Sequence, residues 1–233
     1  LAAGWSVREV MLWTLVPGVL CVLLVLMLRE PTGLAVSAGK IEWQWKTLPA
    51  PLKRYLVALG VFTLSQASNM FLLLRAKETG FTDAQIPLLW AAFSALAMLL
   101  STPLSALSDR FDKQRLLRSA WIVYSILFAS FGMLPQTTAT TVALFIAYAF
   151  FIAITDGAEK ALIAELAPAS QLGTAYGWFH LVSGLMLLPA SMLFGWLWTH
   201  VNPTAAFVVS ASTSLIAAGL LMRAGRVARA ENT

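Results

Sequence analysis

The sequence predicts an all-α, polytopic membrane protein, a bundle of seven transmembrane helices. Three observations predict it. Of 233 residues, 59% are apolar and only 12% are charged, against about 25% charged in a typical soluble domain. Mean hydropathy is +0.76, more apolar side chain than a folded sphere of this size hides from water, which excludes a soluble single domain and a disordered chain. Asp, Glu, Lys and Arg are also missing from long stretches, at 10–28, 55–74, 84–108, 119–155 and 166–222.

A membrane helix needs about 20 mostly apolar residues, so the first three stretches hold one span each. The fourth is too long for one helix and divides at the turn-like cluster Gly132-Met133-Leu134-Pro135-Gln136-Thr137-Thr138. The fifth divides at His200-Val201-Asn202-Pro203-Thr204, where Asn-Pro punctuates the chain. The spans therefore run roughly over 6–28, 53–75, 85–108, 116–134, 140–166, 172–199 and 204–222. One connection is long, about 29–52, and Trp43 and Trp45 beside Lys40 and Lys46 suit the membrane–water interface. It reads as a linker between a preceding unit, whose last helix is 1–28, and a six-span unit over 53–233. No basic segment precedes the first span, so it is not a signal peptide; a trimmed or partial chain is the expectation. A single cysteine, Cys21, leaves no internal disulfide framework and no multi-cysteine metal site, and no metal or cofactor is expected.

A net charge of +5 would point to nucleic acid in a soluble chain, but in a membrane protein the placement of Lys and Arg reports orientation. With the N-terminus outside, the cytoplasmic side receives Arg29, Lys40, Lys46, Lys53, Arg54, Arg110, Lys113, Arg115, Arg118, Arg223, Arg226 and Arg229. The outside receives Arg8, Arg75 and Lys77, and Lys160 lies within a span. The expectation is a multi-pass protein of a bacterial cytoplasmic (inner) membrane with its C-terminus inside and lipids, not nucleic acid, around it.

Seven spans in this orientation also match a G-protein-coupled receptor, and Asp109-Arg110-Phe111 resembles the receptor Asp-Arg-Tyr signature. Against that, one cysteine cannot form the receptor disulfide. The last span also carries Asn202-Pro203 at its outer end rather than Asn-Pro-x-x-Tyr near its inner end. The loop Ser105-Ala-Leu-Ser-Asp-Arg-Phe-Asp-Lys-Gln-Arg115 resembles instead the major facilitator superfamily motif Gly-x-x-x-Asp-Arg-x-Gly-Arg-Arg, with Asp109, Arg110 and Lys113 in place and Ser105 and Asp112 replacing the glycines. It joins the second and third spans after the long linker, where that family carries it. Asp156–Pro168 followed by Gly173-Thr174-Ala175-Tyr176-Gly177 resembles the charged inner end of one facilitator helix and the Gly-rich start of the next.

The resemblance implies the C-terminal six-helix half of a facilitator fold plus the preceding helix, with an N-terminal six-helix half as partner. It implies a secondary transporter of a small organic solute working by alternating access, and no enzyme; no nucleophile–base pair, phosphate loop or metal cluster stands out. A receptor or a structural membrane protein are the alternatives. Asp109, Arg110 and Lys113 are then a gating motif that clasps partner helices on the cytoplasmic side.

Ionisable residues inside a span are expensive and face a cavity or a partner. Asp156, Glu159 and Lys160 share a helix face at i, i+3 and i+4, with one negative charge in excess. They form either a structural lock or a proton-coupling site. His180 lies at similar depth on the next span, as a packing residue or as a second titrating group within reach of Asp156. Gln66 and Asn69, with Ser65 and Ser68 beside them, make either interhelical hydrogen bonds or, as the resemblance implies for the first helix of each half, substrate contacts in the central cavity. Arg75, Lys77 and Glu78 are expected to anchor their span to headgroups. Gly173-x-x-x-Gly177 and Ser191-x-x-x-Gly195 are expected as close-packing devices. Trp90, Tyr148 and Tyr176 are expected in packing or lipid-facing positions, stacking on a ligand being the alternative.

Overall fold

The computed structural model describes residues 12–13, 15–27, 45–135 and 137–230, all of their regular structure helical. The chain divides into two units, Leu1–Ile41 and Glu42–Thr233. In the first, helix α1 (Leu15–Met27) is wholly apolar and its side chains are exposed. The remainder of the expected 6–28 span and most of the 29–52 linker lie outside the described residues.

The second unit contains α2 (Ala50–Ser65), α3 (Met70–Glu78), α4 (Gln85–Ser108), α5 (Lys113–Met133), α6 (Thr138–Leu166), α7 (Leu172–His200) and α8 (Pro203–Ala230). Six segments here are long and apolar enough to cross a membrane, and α2 with α3 together form one of them. Each overlaps one expected span, yet the 53–75 span is not one continuous helix. It stops at Ser65, is non-helical through 66–68 with Gln66 extended, and resumes at Met70.

Helix starts follow from polar side chains that bond the unpaired N–H groups of the first turn. Asp112 accepts from the Arg115 amide at 2.7 Å to open α5. Thr137 and Thr140 form a reciprocal capping box on α6, with Thr140 Oγ1 accepting from the Thr137 amide at 2.8 Å. Asn202 Oδ1 accepts from the Ala205 amide at 2.7 Å and Pro203 takes the first helical position, so the Asn-Pro dipeptide is a cap and a start at once.

Helix α8 packs on α2, α5 and α7, α6 on α4 and α5, and α2 on α7. Lipid tails are as apolar as leucine, so packing and hydrogen bonds rather than water exclusion join membrane helices. The buried centre is aromatic: Phe62 stacks on Trp121 at 4.4 Å and 7°, and Tyr124 on Phe128 at 4.0 Å. Along the α5–α8 seam side chains bond across to backbone carbonyls. Gln114 donates to Leu221, Ser214 to Trp121, Ser125 to Ala211 and Thr204 to Gly132, at 2.8–3.0 Å. Gly132 lets the two backbones meet, since a Cβ there would lie 2.8 Å from Phe207 Cβ. The expected close-packing glycines divide: Gly195 faces the Phe71 ring, whereas a Cβ on Gly173 would meet nothing within 4 Å. On α4 and α7 much of the apolar surface stays bare, including Leu88, Met98, Leu99, Leu185 and Met192.

The helix break is held by its neighbours. Ending α2 frees the Ser65 carbonyl, and both Tyr124 Oη (2.9 Å) and Ser210 Oγ donate to it. Serine and asparagine disfavour helix interiors because their side chains compete for backbone groups, and three of the five residues from Ser65 to Asn69 are of these types.

Candidate substrate cavity and charged stripe

The break borders an open cavity of about 730 Å3, whose wall is completed by α4, α6 and α7. Gln66, Ala67, Ser68, Asn69 and Met70 come from the break itself, Trp90 from α4, Tyr148 and Ile152 from α6, and Gly184, Leu187, Leu188 and Ser191 from α7. Tyr148 is buried and donates its hydroxyl to Asn69 Oδ1 at 3.3 Å. Its ring lies nearly parallel to Phe93 (5.5 Å, 13°) and to Phe151 (5.9 Å, 9°). Trp90 stacks on Phe93 at 4.9 Å and stays half-buried. No Asp, Glu, Lys, Arg or His lies in this wall.

The charges of α6 stand beside it. Tyr148, Ile152, Asp156 and Lys160 follow one another at four-residue steps, close to one stripe of the helix, so Asp156 sits about 6 Å along the axis beyond Ile152. Lys160 Nζ bonds both carboxylate oxygens of Asp156 at 3.0 Å, and both side chains are exposed. Tyr176 on α7 donates to the Lys160 carbonyl at 3.0 Å. Glu159 is half-buried, with Asp156, Lys160, the Trp121 indole and the Tyr55 hydroxyl as its electrostatic neighbours. Among the described residues, Trp121 Nε1 faces that carboxylate without closing a hydrogen bond of normal length, and Tyr55 Oη likewise has no hydrogen-bond partner, although both residues are fully buried.

The sequence-derived candidates thus separate into three places. Gln66 and Asn69 lie on the cavity wall. Asp156, Glu159 and Lys160 lie further along α6. His180 is exposed on α7, edge-on to Phe179 at 5.0 Å; among the described residues it makes no contact with Asp156, whose charge goes to Lys160. The loop motif forms the third group. Asp109 pairs with Lys113 at 3.0 Å, Lys113 is nearly buried, and Arg110 is exposed. Arg75, expected at headgroups, instead turns inward, pairing with Glu78 at 2.8 Å and donating to the Phe131 carbonyl at 3.3 Å. Trp90 and Tyr148 reach the wall rather than serving packing alone, and Ser191 joins them. Their positions depend on how α4, α6 and α7 pack, and no local sequence signal carries that. Among the described residues no cluster of three or more His, Cys, Asp or Glu is placed to hold a metal ion.

A broken first helix, a cavity at the break and a charged stripe beside it thus lie together among six segments of membrane-spanning length. The sequence signature of the Major Facilitator Superfamily matches residues 55–233, and the chain belongs to that family of membrane transporters. It is 30% identical over 226 residues to an uncharacterised MFS-type transporter of Methanocaldococcus jannaschii, covering 94% of this chain. The chain spans about half of that relative's length, 56%. No solved structure matches the chain.

Proposed function

We propose that the complete protein is a secondary active transporter that moves a small organic solute by alternating access, two six-helix halves rocking about a midplane site, and that proton movement drives it. The observation that carries this reading is the unwound segment Gln66–Asn69 bordering a cavity of about 730 Å3. Non-helical backbone at membrane depth is tolerated only where it is buried in protein or lines a water-filled cavity. Gln66 and Asn69 are the solute contacts of this half. Asp156, Glu159 and His180 carry the coupling proton, and Lys160 balances Asp156 in one of the two states. Asp109, Arg110 and Lys113 form the gate. Residues 1–28 are the last helix of a second six-helix half, and 29–52 the connection to the half described above. The basic ends of the helices face the cytoplasm of a bacterial cell, with the N-terminal end of α1 outside. The reaction is transport without covalent chemistry.

The test measures solute-driven proton uptake by the complete protein in proteoliposomes carrying a trapped pH dye. Asp156→Asn and Glu159→Gln are each expected to lower proton movement at least about tenfold while solute exchange without a gradient persists. Proton uptake unchanged in both variants removes these carboxylates from the coupling path.

A further inference from the structure

We propose that the wall formed by the α2–α3 break selects an uncharged, ring-bearing solute whose edge carries both hydrogen-bond donors and acceptors, the chemistry of a neutral aromatic amide. This rests on the cavity being the solute site. The break leaves an unused set of polar groups. Among the described residues, the amides of Ala67, Ser68 and Asn69 and the carbonyls of Gln66 and Ala67 join no backbone hydrogen bond. The Gln66 carboxamide and the Ser191 hydroxyl bond nothing among the described residues, and Asn69 has committed only its oxygen, to Tyr148. Unpaired polar groups at membrane depth are costly, so this set is completed by water or by a ligand that offers donors and acceptors together.

The wall also states what the ligand lacks. None of its side chains is charged, and the one acidic hydroxyl, that of Tyr148, is already spent on Asn69. Further along α6, Asp156, one turn beyond Ile152, is paired with Lys160. A charged solute moving onto this surface would lose hydration and gain no counter-charge. The rest of the lining is apolar. Trp90, stacked on Phe93 at 4.9 Å, shares this wall with Ile152 and Leu187, and aromatic rings favour offset stacking with another ring.

The experiment measures ligand-induced shifts in melting temperature of the complete, detergent-purified protein. The probes are benzamide, benzoate, benzylammonium and glucose at equal concentration. Benzamide is expected to raise the melting temperature, and Gln66→Ala or Asn69→Ala to weaken its apparent affinity about tenfold, the equivalent of one good hydrogen bond. Gln66→Glu adds one carboxylate to the wall and is expected to lose benzamide and gain benzylammonium, a gain that a merely unfolded variant cannot produce. If benzoate, benzylammonium or glucose binds better than benzamide to the wild type and loses affinity in Gln66→Ala, the class is wrong while the site stands. If no probe binds, or binding is unchanged in all three variants, the reading of this cavity as the solute site fails as well.

Discussion

Ser65 shows how single residues hold a broken helix in place. Its carbonyl, released where α2 ends, accepts from Tyr124 and Ser210, each from a different helix. Two donors on one carbonyl make the individual losses small and the joint loss large. Tyr124→Phe or Ser210→Ala alone is expected to cost about 0.5–1.5 kcal/mol, whereas the double variant, which strands a buried carbonyl, costs more than the sum of the two. Chemical denaturation of the purified protein in mixed micelles reads this coupling, and strict additivity would show that the two hydroxyls do not share the carbonyl. The polarity of Gln66 and Asn69 inside an apolar span was legible as a mark of unusual chemistry, because a membrane span has few reasons to carry amides. Trp90, Tyr148 and Ser191 were not legible in the same way. An aromatic ring or serine in a membrane helix fits packing equally well, and only the approach of α4, α6 and α7 turns these three toward one space.

At the scale of elements, the spans follow from composition alone: each needs about 20 apolar residues, and apart from Asp156, Glu159 and Lys160 the charges sit near their ends. The break inside the 53–75 span does not follow from composition, because hydrophobic content stays high on both sides of it. Its sign is the local run Ser65-Gln66-Ala67-Ser68-Asn69, which favours turns but terminates a helix only when neighbours satisfy what it exposes. The α5–α8 pair is the counter-case, two uninterrupted helices fastened by cross-bonds. Membrane hydrogen bonds of this kind average about 0.6 kcal/mol each. Ser125→Ala with Ser214→Ala is therefore expected to lower stability by roughly 1 kcal/mol, nearly additively, since each serine bonds its own carbonyl. Unfolding in denaturing detergent measures it, and a loss several times larger would mean that the seam opens as one piece.

For the molecule as a whole, the distribution of Lys and Arg is the feature with the widest reach. Lys113, Arg115 and Arg118 cluster at the start of α5, while Arg75 and Lys77 stand at the far end of α3. In the orientation proposed from the positive-inside rule, the start of α5 faces the cytoplasm. In a cysteine-free background, a cysteine replacing exposed Lys77 is expected to react with a membrane-impermeant maleimide in intact cells. One replacing exposed Arg110 is expected to react only after permeabilisation. The reverse pattern would invert the proposed orientation, and with it the side on which the Asp109–Lys113 pair acts.

The seam between α5 and α8 has a further, mechanical consequence. The four cross-bonds described end on backbone carbonyls, and every residue has one carbonyl, so the accepting side tolerates replacement of its side chains. The donors Gln114, Ser125, Thr204 and Ser214 sit at fixed intervals, and sliding one helix past the other by a single residue would unseat all four together. The pair is therefore a keyed joint with one stable register.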